Sequence, residues 1–172
     1  MSRGLGDVYK RQIYNCTKPI QNMIQATNSA IPPAARMLGY AGILPFIALA
    51  LVPAFRDQGV EAAAVRGFLA YSAVILSFLG GVRWGVATRF DRVQWGALLI
   101  SVVPSLWAFA CLWWPNPIVA AWGLMLGFVA MGLADWLLPA PGSAAWMIVL
   151  RARLSLAVIA CHAILIAALM IS

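Results

Sequence analysis

Apolar residues follow one another along this chain in long blocks, without the alternation of a half-buried strand or the 3.6-residue spacing of a surface helix. Each block is close to the length of about 20 residues that a helix needs to cross the core of a bilayer. The five blocks cover residues 37–55, 67–87, 95–114, 118–138 and 147–171. Backbone groups in lipid must be satisfied within the segment, so the blocks predict helices. The sequence therefore predicts an all-α polytopic membrane protein, with a five-helix transmembrane bundle over residues 37–172.

Composition and charge support a membrane protein over a soluble one. Of the 172 residues, 63% are hydrophobic and 10% are charged, whereas a soluble domain of this length needs far more polar surface. The net charge of +7 would suggest nucleic acid in a soluble protein. Here the basic residues stand mainly at the ends of the apolar blocks, and no helix offers a continuous basic face. We therefore expect the lipid bilayer, and no nucleic acid, as a partner.

The N-terminal region is predicted to be a tail, residues 1–36, outside the membrane domain. Its segment DVYKRQ, residues 7–12, reads as one frame of the transposon end that is used to build sequencing libraries. We interpret residues 1–12 as a sequencing-adapter artefact and set them aside. The remainder of the tail is polar and is expected to be disordered.

Basic residues are distributed unequally between the two sides of the predicted bundle. One side receives six of them and the other side two. The six are Lys18, Arg36, Arg89, Arg92, Arg151 and Arg153, and the two are Arg56 and Arg66. The positive-inside rule then places the N-terminus in the cytoplasm, and five spans place the C-terminus on the opposite side. We therefore expect a multi-pass membrane protein with a cytoplasmic N-terminus and a C-terminus across the membrane.

Small residues recur at helical spacing in the second and fourth blocks. The second block carries Ser77, Gly81 and Gly85, and the fourth carries Gly123 and Gly127. Both blocks contain a GxxxG pattern, which allows two helix backbones to approach closely. The pattern predicts helix packing without naming the partner, which could be this chain, a second copy or an unknown membrane protein.

Two charged residues lie well inside the apolar blocks, Arg83 in the second block and Asp135 in the fourth. Arg151 and Arg153, at the start of the fifth block, are counted with the loop before it. The second and fourth blocks run in the same direction across the bilayer, so Arg83 and Asp135 share a leaflet and nearly a depth. An ionisable residue within a span is costly and usually pairs with another. We predict a contact between Arg83 and Asp135, direct or through water. The alternative is that Arg83 snorkels alone to the headgroups.

His162, near the middle of the fifth block, is the one histidine of the chain. It could relay protons or bind haem, but haem in a helical bundle usually needs two axial ligands. A neutral histidine that hydrogen-bonds within the bundle is favoured. Cys16, Cys111 and Cys161 lack the spacing of a metal site and are expected to pack. The sequence predicts neither a cofactor nor a metal.

Three stretches resemble the transmembrane protein 69-like family. They are LGYAGILPF (residues 38–46), YSAVILSFLGGVRWG (71–85) and AWMIVLRARLSLAVI (145–159). That family is an integral membrane domain of unknown function in bacterial inner membranes, with mitochondrial relatives, and the resemblance covers about residues 37–171. The basic position of the middle motif is often histidine in the family, so Arg83 is a departure. The resemblance implies a multi-span fold in the bacterial inner membrane, where the predicted orientation gives a periplasmic C-terminus, and it brings no catalytic residues.

The sequence contains none of the GxSxG, Walker and HExxH motifs, and no pair of carboxylates within one block. We therefore predict a non-enzymatic scaffold or complex-associated subunit of the membrane. The alternative is a transporter or channel component for a small solute or proton, using Arg83, Asp135 and His162. A transporter needs polar groups that continue across the bilayer, whereas a scaffold needs one polar cluster near the inner surface.

Overall fold

The computed structural model describes residues 31–52, 58–89, 95–138 and 143–171, and these form six α-helices. The helices are α1 (Pro33–Ala41), α2 (Leu44–Leu51), α3 (Gln58–Ala87), α4 (Trp95–Leu112), α5 (Pro117–Leu137) and α6 (Ala145–Ile171). Helices α1 and α2 together make one candidate membrane span, and α3 to α6 each make one, which gives five. The predicted all-α fold with five membrane-spanning helices is confirmed.

The helices differ from the predicted blocks mainly at their ends. Helix α1 begins at Pro33, inside the region that was predicted to be tail, because proline suits the first turn of a helix, where its missing N–H is not needed. Helix α3 begins at Gln58 rather than residue 67, because good helix formers precede the apolar block and Glu61 stands favourably in the first turn. Residues 1–30, with the predicted artefact, lie outside the described residues.

A break divides the first span just before Pro45. The helix is interrupted at Gly42 and Ile43, and Pro45 has no N–H to continue the ladder. The Tyr71 hydroxyl of α3 donates to the Gly42 carbonyl oxygen at 3.0 Å. Irregular backbone at membrane depth is tolerated where protein groups satisfy it. Pro104, by contrast, lies within an uninterrupted α4.

The core lies where α2, α3, α5 and α6 meet, and it also includes Ala108 and Cys111 of α4. Phe46 of α2 packs edge-on against Phe68 of α3 and Phe128 of α5, with ring centroids 5.4 and 6.3 Å apart. Edge-to-face aromatic pairs add about 0.5–1.5 kcal/mol each beyond their burial. These rings therefore fix the relative positions of three helices at mid-membrane depth.

The fully buried face of helix α4 consists of small residues. Its buried residues are Ser101, Pro104, Ala108 and Cys111, spaced by three or four. Its remaining surface exposes large apolar side chains, including Leu99, Val103, Leu106, Trp107 and Phe109. Apolar surface of this extent marks contact with lipid or another protein, as expected for a helix at the edge of a membrane bundle.

Candidate functional site

Three charged side chains from three helices meet at one end of the bundle. Arg83 lies in the last turns of α3, Asp135 in the last turn of α5, and Arg151 in the second turn of α6. Arg83 Nη1 donates to Asp135 Oδ1 at 2.8 Å, and Arg151 Nε donates to Asp135 Oδ2 at 2.6 Å. The structure brings the two predicted residues together and adds a third. We call this group the Arg–Asp–Arg cluster.

Two backbone carbonyls complete the cluster. Arg83 Nη2 donates to the Leu138 carbonyl oxygen at 2.7 Å, just beyond the end of α5, where carbonyls lack helical partners. Arg151 Nη1 and Nη2 both donate to the Leu79 carbonyl oxygen of α3, at 3.3 and 3.2 Å. The bonds of the cluster thus tie α3, α5 and α6 to one another.

The cluster is buried and carries an excess of positive charge. Arg83 is 6% exposed and Arg151 8%, and the Asp135 side chain is 12% exposed. Arg83 therefore bonds within the bundle rather than snorkelling alone. Two guanidinium groups share one carboxylate, which leaves a net charge of +1. Among the described residues the other acid is Glu61, in the first turn of α3 and roughly 33 Å from Arg83 by helical rise.

Arg151 is the member of the cluster that the sequence reading missed, because it was counted as a loop charge. Positions two apart on a helix point about 200° apart, so Arg151 and Arg153 cannot both face solvent on the same side. Arg153 is exposed, whereas Arg151 shares the buried face of α6 with Ser155 and His162. Their spacing of four and eleven residues is the signal that could have identified Arg151.

His162 lies deeper in the bundle, enclosed by aromatic rings. Its ring centroid is 4.7 Å from Phe68, 5.5 Å from Phe128 and 6.1 Å from Phe46. Its Nδ1 lies 2.9 Å from the Val158 carbonyl oxygen, so Nδ1 carries the proton and donates it. Nε2 is buried with no hydrogen-bond partner among the described residues. His162 is eleven residues from Arg151, roughly 16 Å along α6, and is no part of the cluster.

The two GxxxG patterns have different surroundings. A Cβ at Gly123 would lie 2.7 Å from Cys111 Sγ, and one at Gly127 would lie 2.5 Å from Leu76 Cδ2. These glycines therefore admit side chains of neighbouring helices. A Cβ at Gly81 or Gly85 would have no heavy atom within 4 Å.

Gly80, which the sequence analysis did not single out, makes the close approach between α3 and α4. A Cβ there would overlap the Ser101 carbonyl oxygen and would lie 3.6 Å from Pro104 Cβ. The predicted Ser77 is half-buried on the same helix. The face of α3 that carries Gly81 and Gly85 is left uncovered by the described residues.

Cavities along the described helices include an apolar groove and two smaller spaces. An apolar groove of about 490 Å³ separates α4 from α5 and is lined by Val103, Trp107 and Ala130, among others. A cavity of about 140 Å³ has Ser155 as its one polar side chain. A gap of about 20 Å³ adjoins the Arg–Asp–Arg cluster.

The chemistry available at the cluster is that of a fixed, electropositive hydrogen-bonding site. Guanidinium groups stay protonated and present several N–H donors in one plane, which suits anions and carbonyl oxygens. Within the described ranges, no three His, Cys, Asp or Glu side chains come together as metal ligands. Cys111 and Cys161 are buried and unbridged.

Five long apolar helices with charged groups tied together at one end define a polytopic α-helical membrane protein. The family model described as protein of unknown function (DUF3429) matches residues 31–167, and the chain belongs to this family. Over 127 residues, 72% of the chain, it is 35% identical to transmembrane protein 69 of Xenopus tropicalis. The chain spans about half the length of that curated relative. No solved structure matches. The resemblance to the transmembrane protein 69-like family is confirmed.

Proposed function

We propose that this chain is a non-enzymatic membrane subunit that acts by assembling, through its transmembrane helices, with a second copy of itself. The charges of the Arg–Asp–Arg cluster are engaged with one another and with the carbonyls of Leu79 and Leu138. This arrangement supports a role in holding helices together. It leaves the lipid-facing surface of the bundle as the place where a membrane partner can bind.

The observation that carries the proposal is the uncovered face of α3. Gly81 and Gly85 are exposed, with open space where a Cβ would stand, and Phe78 and Trp84 are exposed beside them. Glycine within a helix costs about 1 kcal/mol relative to alanine. A glycine pair on an apolar surface recovers that cost where another backbone packs against it.

A second copy suits this face because a two-fold interface uses the same patch on both partners. Two α3 helices crossing at Gly81 and Gly85 would each present a flat backbone surface to the other. The flanking apolar side chains could then pack around the crossing point. The Gly123 and Gly127 pattern is not available for such a contact, since Cys111, Leu76 and Trp107 fill it within the chain.

We expect the full-length protein to form dimers in lipid vesicles. Gly81→Ile should weaken the dimerisation constant by about tenfold or more, because the larger side chain prevents the close approach of the two helices, and a loss of about 1.4 kcal/mol in the free energy of association has that effect. Subunit number by single-molecule photobleaching, over a range of protein-to-lipid ratios, measures the dimer fraction. Gly132→Ile on α5 is the matched control, because a Cβ at Gly132 also meets no heavy atom within 4 Å. Wild-type protein that stays monomeric, or a Gly81→Ile dimer as strong as the control, would contradict the proposal.

The transporter alternative has one observation in its favour, the cavity of about 140 Å³ beside Ser155. That volume could hold several water molecules, each of which needs about 10–15 Å³ by this measure. Waters in a cavity also need polar partners, and apart from Ser155 the side chains around this one are apolar. Beyond it, three phenylalanine rings surround His162. A continuous polar route would have to cross those rings, so the assembly role is the better supported.

We also propose that the membrane is a bacterial inner membrane, with the N-terminus in the cytoplasm. The end of the bundle with the Arg–Asp–Arg cluster also exposes Arg36, Arg89 and Arg153, the distribution typical of a cytoplasmic surface. A reporter enzyme that is active only in the periplasm, fused after Ser172, should therefore be active, and the same reporter fused after Arg89 should be inactive. The reverse pattern would overturn this orientation.

A further inference from the structure

We propose that the Arg–Asp–Arg cluster, with the gap beside it, binds a phosphate group, in the first instance that of an anionic phospholipid. The proposal concerns a ligand of the cluster and is independent of the assembly proposed for α3. It rests on the charge of the cluster, its unused donors, the shape of the gap and its depth in the membrane.

The net positive charge of the Arg–Asp–Arg cluster favours binding of an anion that is not among the described residues. Arg83 and Arg151 share the one carboxylate of Asp135, and an uncompensated charge near hydrocarbon is costly. Within the described ranges no second carboxylate lies nearby, since Glu61, the other acid there, lies at the opposite end of α3. Arg36, Arg89 and Arg153 add further positive charge on the exposed surface at this end.

The cluster also has hydrogen-bond donors to spare. Each guanidinium has five N–H donors. Arg83 donates two hydrogen bonds and Arg151 donates three to acceptors among the described residues. The remaining N–H groups need oxygen acceptors, and phosphate oxygens meet guanidinium donors in short charge-assisted bonds.

The gap lies where such an oxygen would be needed. It is lined by all three members of the cluster, the Asp135 carboxylate included, by Val82 and Val86 of α3, by Met147 and Ile148 in the first turn of α6, and by Ser143, which precedes that helix. The beginning of a helix carries positive partial charge and attracts anions. The volume of about 20 Å³ accommodates about one water-sized group. One phosphate oxygen would therefore enter the gap, with the rest of the group at its mouth.

The depth of the cluster favours a lipid as the source of the phosphate. Arg83 is four residues before the end of α3, and Asp135 is two before the end of α5, which places both within roughly 6 Å of the helix ends. Phospholipid phosphates lie at this level, and basic pockets between transmembrane helices bind anionic headgroups. A free phosphate ion shares the recognition chemistry, so the experiment must separate the two sources.

The test uses the purified full-length protein in neutral detergent micelles. Phosphatidylglycerol and phosphatidylcholine with identical acyl chains are added separately, and native mass spectrometry counts the lipid retained by each protein. We expect phosphatidylglycerol to be retained about tenfold more strongly, because its headgroup keeps a net negative charge, whereas the choline ammonium offsets the phosphate charge of phosphatidylcholine. A tenfold difference corresponds to about 1.4 kcal/mol. Inorganic phosphate is tested separately by its effect on the Tm of the protein. If phosphate raises the Tm and the two lipids are retained equally, the site binds the free ion rather than a lipid.

Met147→Glu provides the decisive variant, since it places a carboxylate at the gap without removing a member of the cluster. Met147→Gln is its neutral control. Met147→Glu should have a raised Tm in neutral detergent and no preference for phosphatidylglycerol, whereas Met147→Gln and the exposed Arg153→Gln should keep the preference. Equal retention of the two lipids with no effect of inorganic phosphate would overturn the proposal. A preference for phosphatidylglycerol that persists in Met147→Glu would overturn the proposal as well.

Discussion

Asp135→Asn should be the most damaging single polar substitution in this protein, with a loss of about 3 kcal/mol in the free energy of unfolding. Removing one partner of a buried ion pair typically costs about 3–5 kcal/mol, because the other charge is left uncompensated. Here two guanidinium groups lose their shared carboxylate, while the nearby membrane surface reduces the penalty. Reversible unfolding in mixed micelles with increasing denaturing detergent measures the change.

Matched variants distinguish the loss of the cluster from the general effect of removing a positive charge. Arg151→Gln should destabilise the fold, whereas Arg153→Gln, two residues along the same helix and exposed, should change it by less than about 0.5 kcal/mol. The triple variant with Arg83→Met, Asp135→Leu and Arg151→Met should recover most of the loss, because apolar residues of similar volume can replace a buried ionic group. Strictly additive effects of the three substitutions would show that they are not coupled.

Gly80→Ala should destabilise the bundle by about 1–3 kcal/mol, the cost typical of overpacking. The added methyl would overlap the Ser101 carbonyl oxygen, which belongs to backbone and cannot rotate away. Helices α3 and α4 would have to separate along their shared interface, the most extensive between any two described helices. The same unfolding measurement in mixed micelles gives the change, with thermal unfolding as a check.

Gly132→Ala is the control for this prediction, since its Cβ meets no heavy atom within 4 Å. It should leave the fold unchanged or stabilise it by up to about 1 kcal/mol, because alanine is the better helix former. If Gly80→Ala proves as harmless as Gly132→Ala, the helices do not approach as closely as the structure indicates.

The membrane fold could be predicted because each span must satisfy its own backbone and cover the same thickness of hydrocarbon. Those demands act on composition and length, which a sequence displays directly. Helix ends were predicted less well, as at Gln58, because a helix can continue past the hydrocarbon wherever its residues favour it. The break at Gly42 followed from Pro45, but the Tyr71 hydroxyl that caps it comes from a distant part of the chain.

The candidate site could be predicted only in part, because the sequence shows a lone charge in an apolar block but does not show which way a helix is rotated. Arg83 and Asp135 stood out because each is a lone charge within an apolar block. Arg151 did not, since it lies near a helix end beside Arg153, and only the rotation of α6 distinguishes the buried arginine from the exposed one. The glycines show the same limit, because Gly80 and Gly81 differ by 100° of rotation and only one faces α4.

The amino-acid sequence is sufficient to establish that this protein crosses the membrane five times as helices, and that a charged pair within the spans needs compensation. Both conclusions come from the cost of exposing polar groups to lipid, which does not depend on the neighbours that a helix finally acquires. The tertiary structure determines which faces of the helices meet. It therefore decides that Asp135 joins two arginines, that the resulting site is positive overall, and that Gly81 and Gly85 remain open. These features depend on helix rotation and long-range packing, which side-chain shape settles only when the whole bundle is assembled.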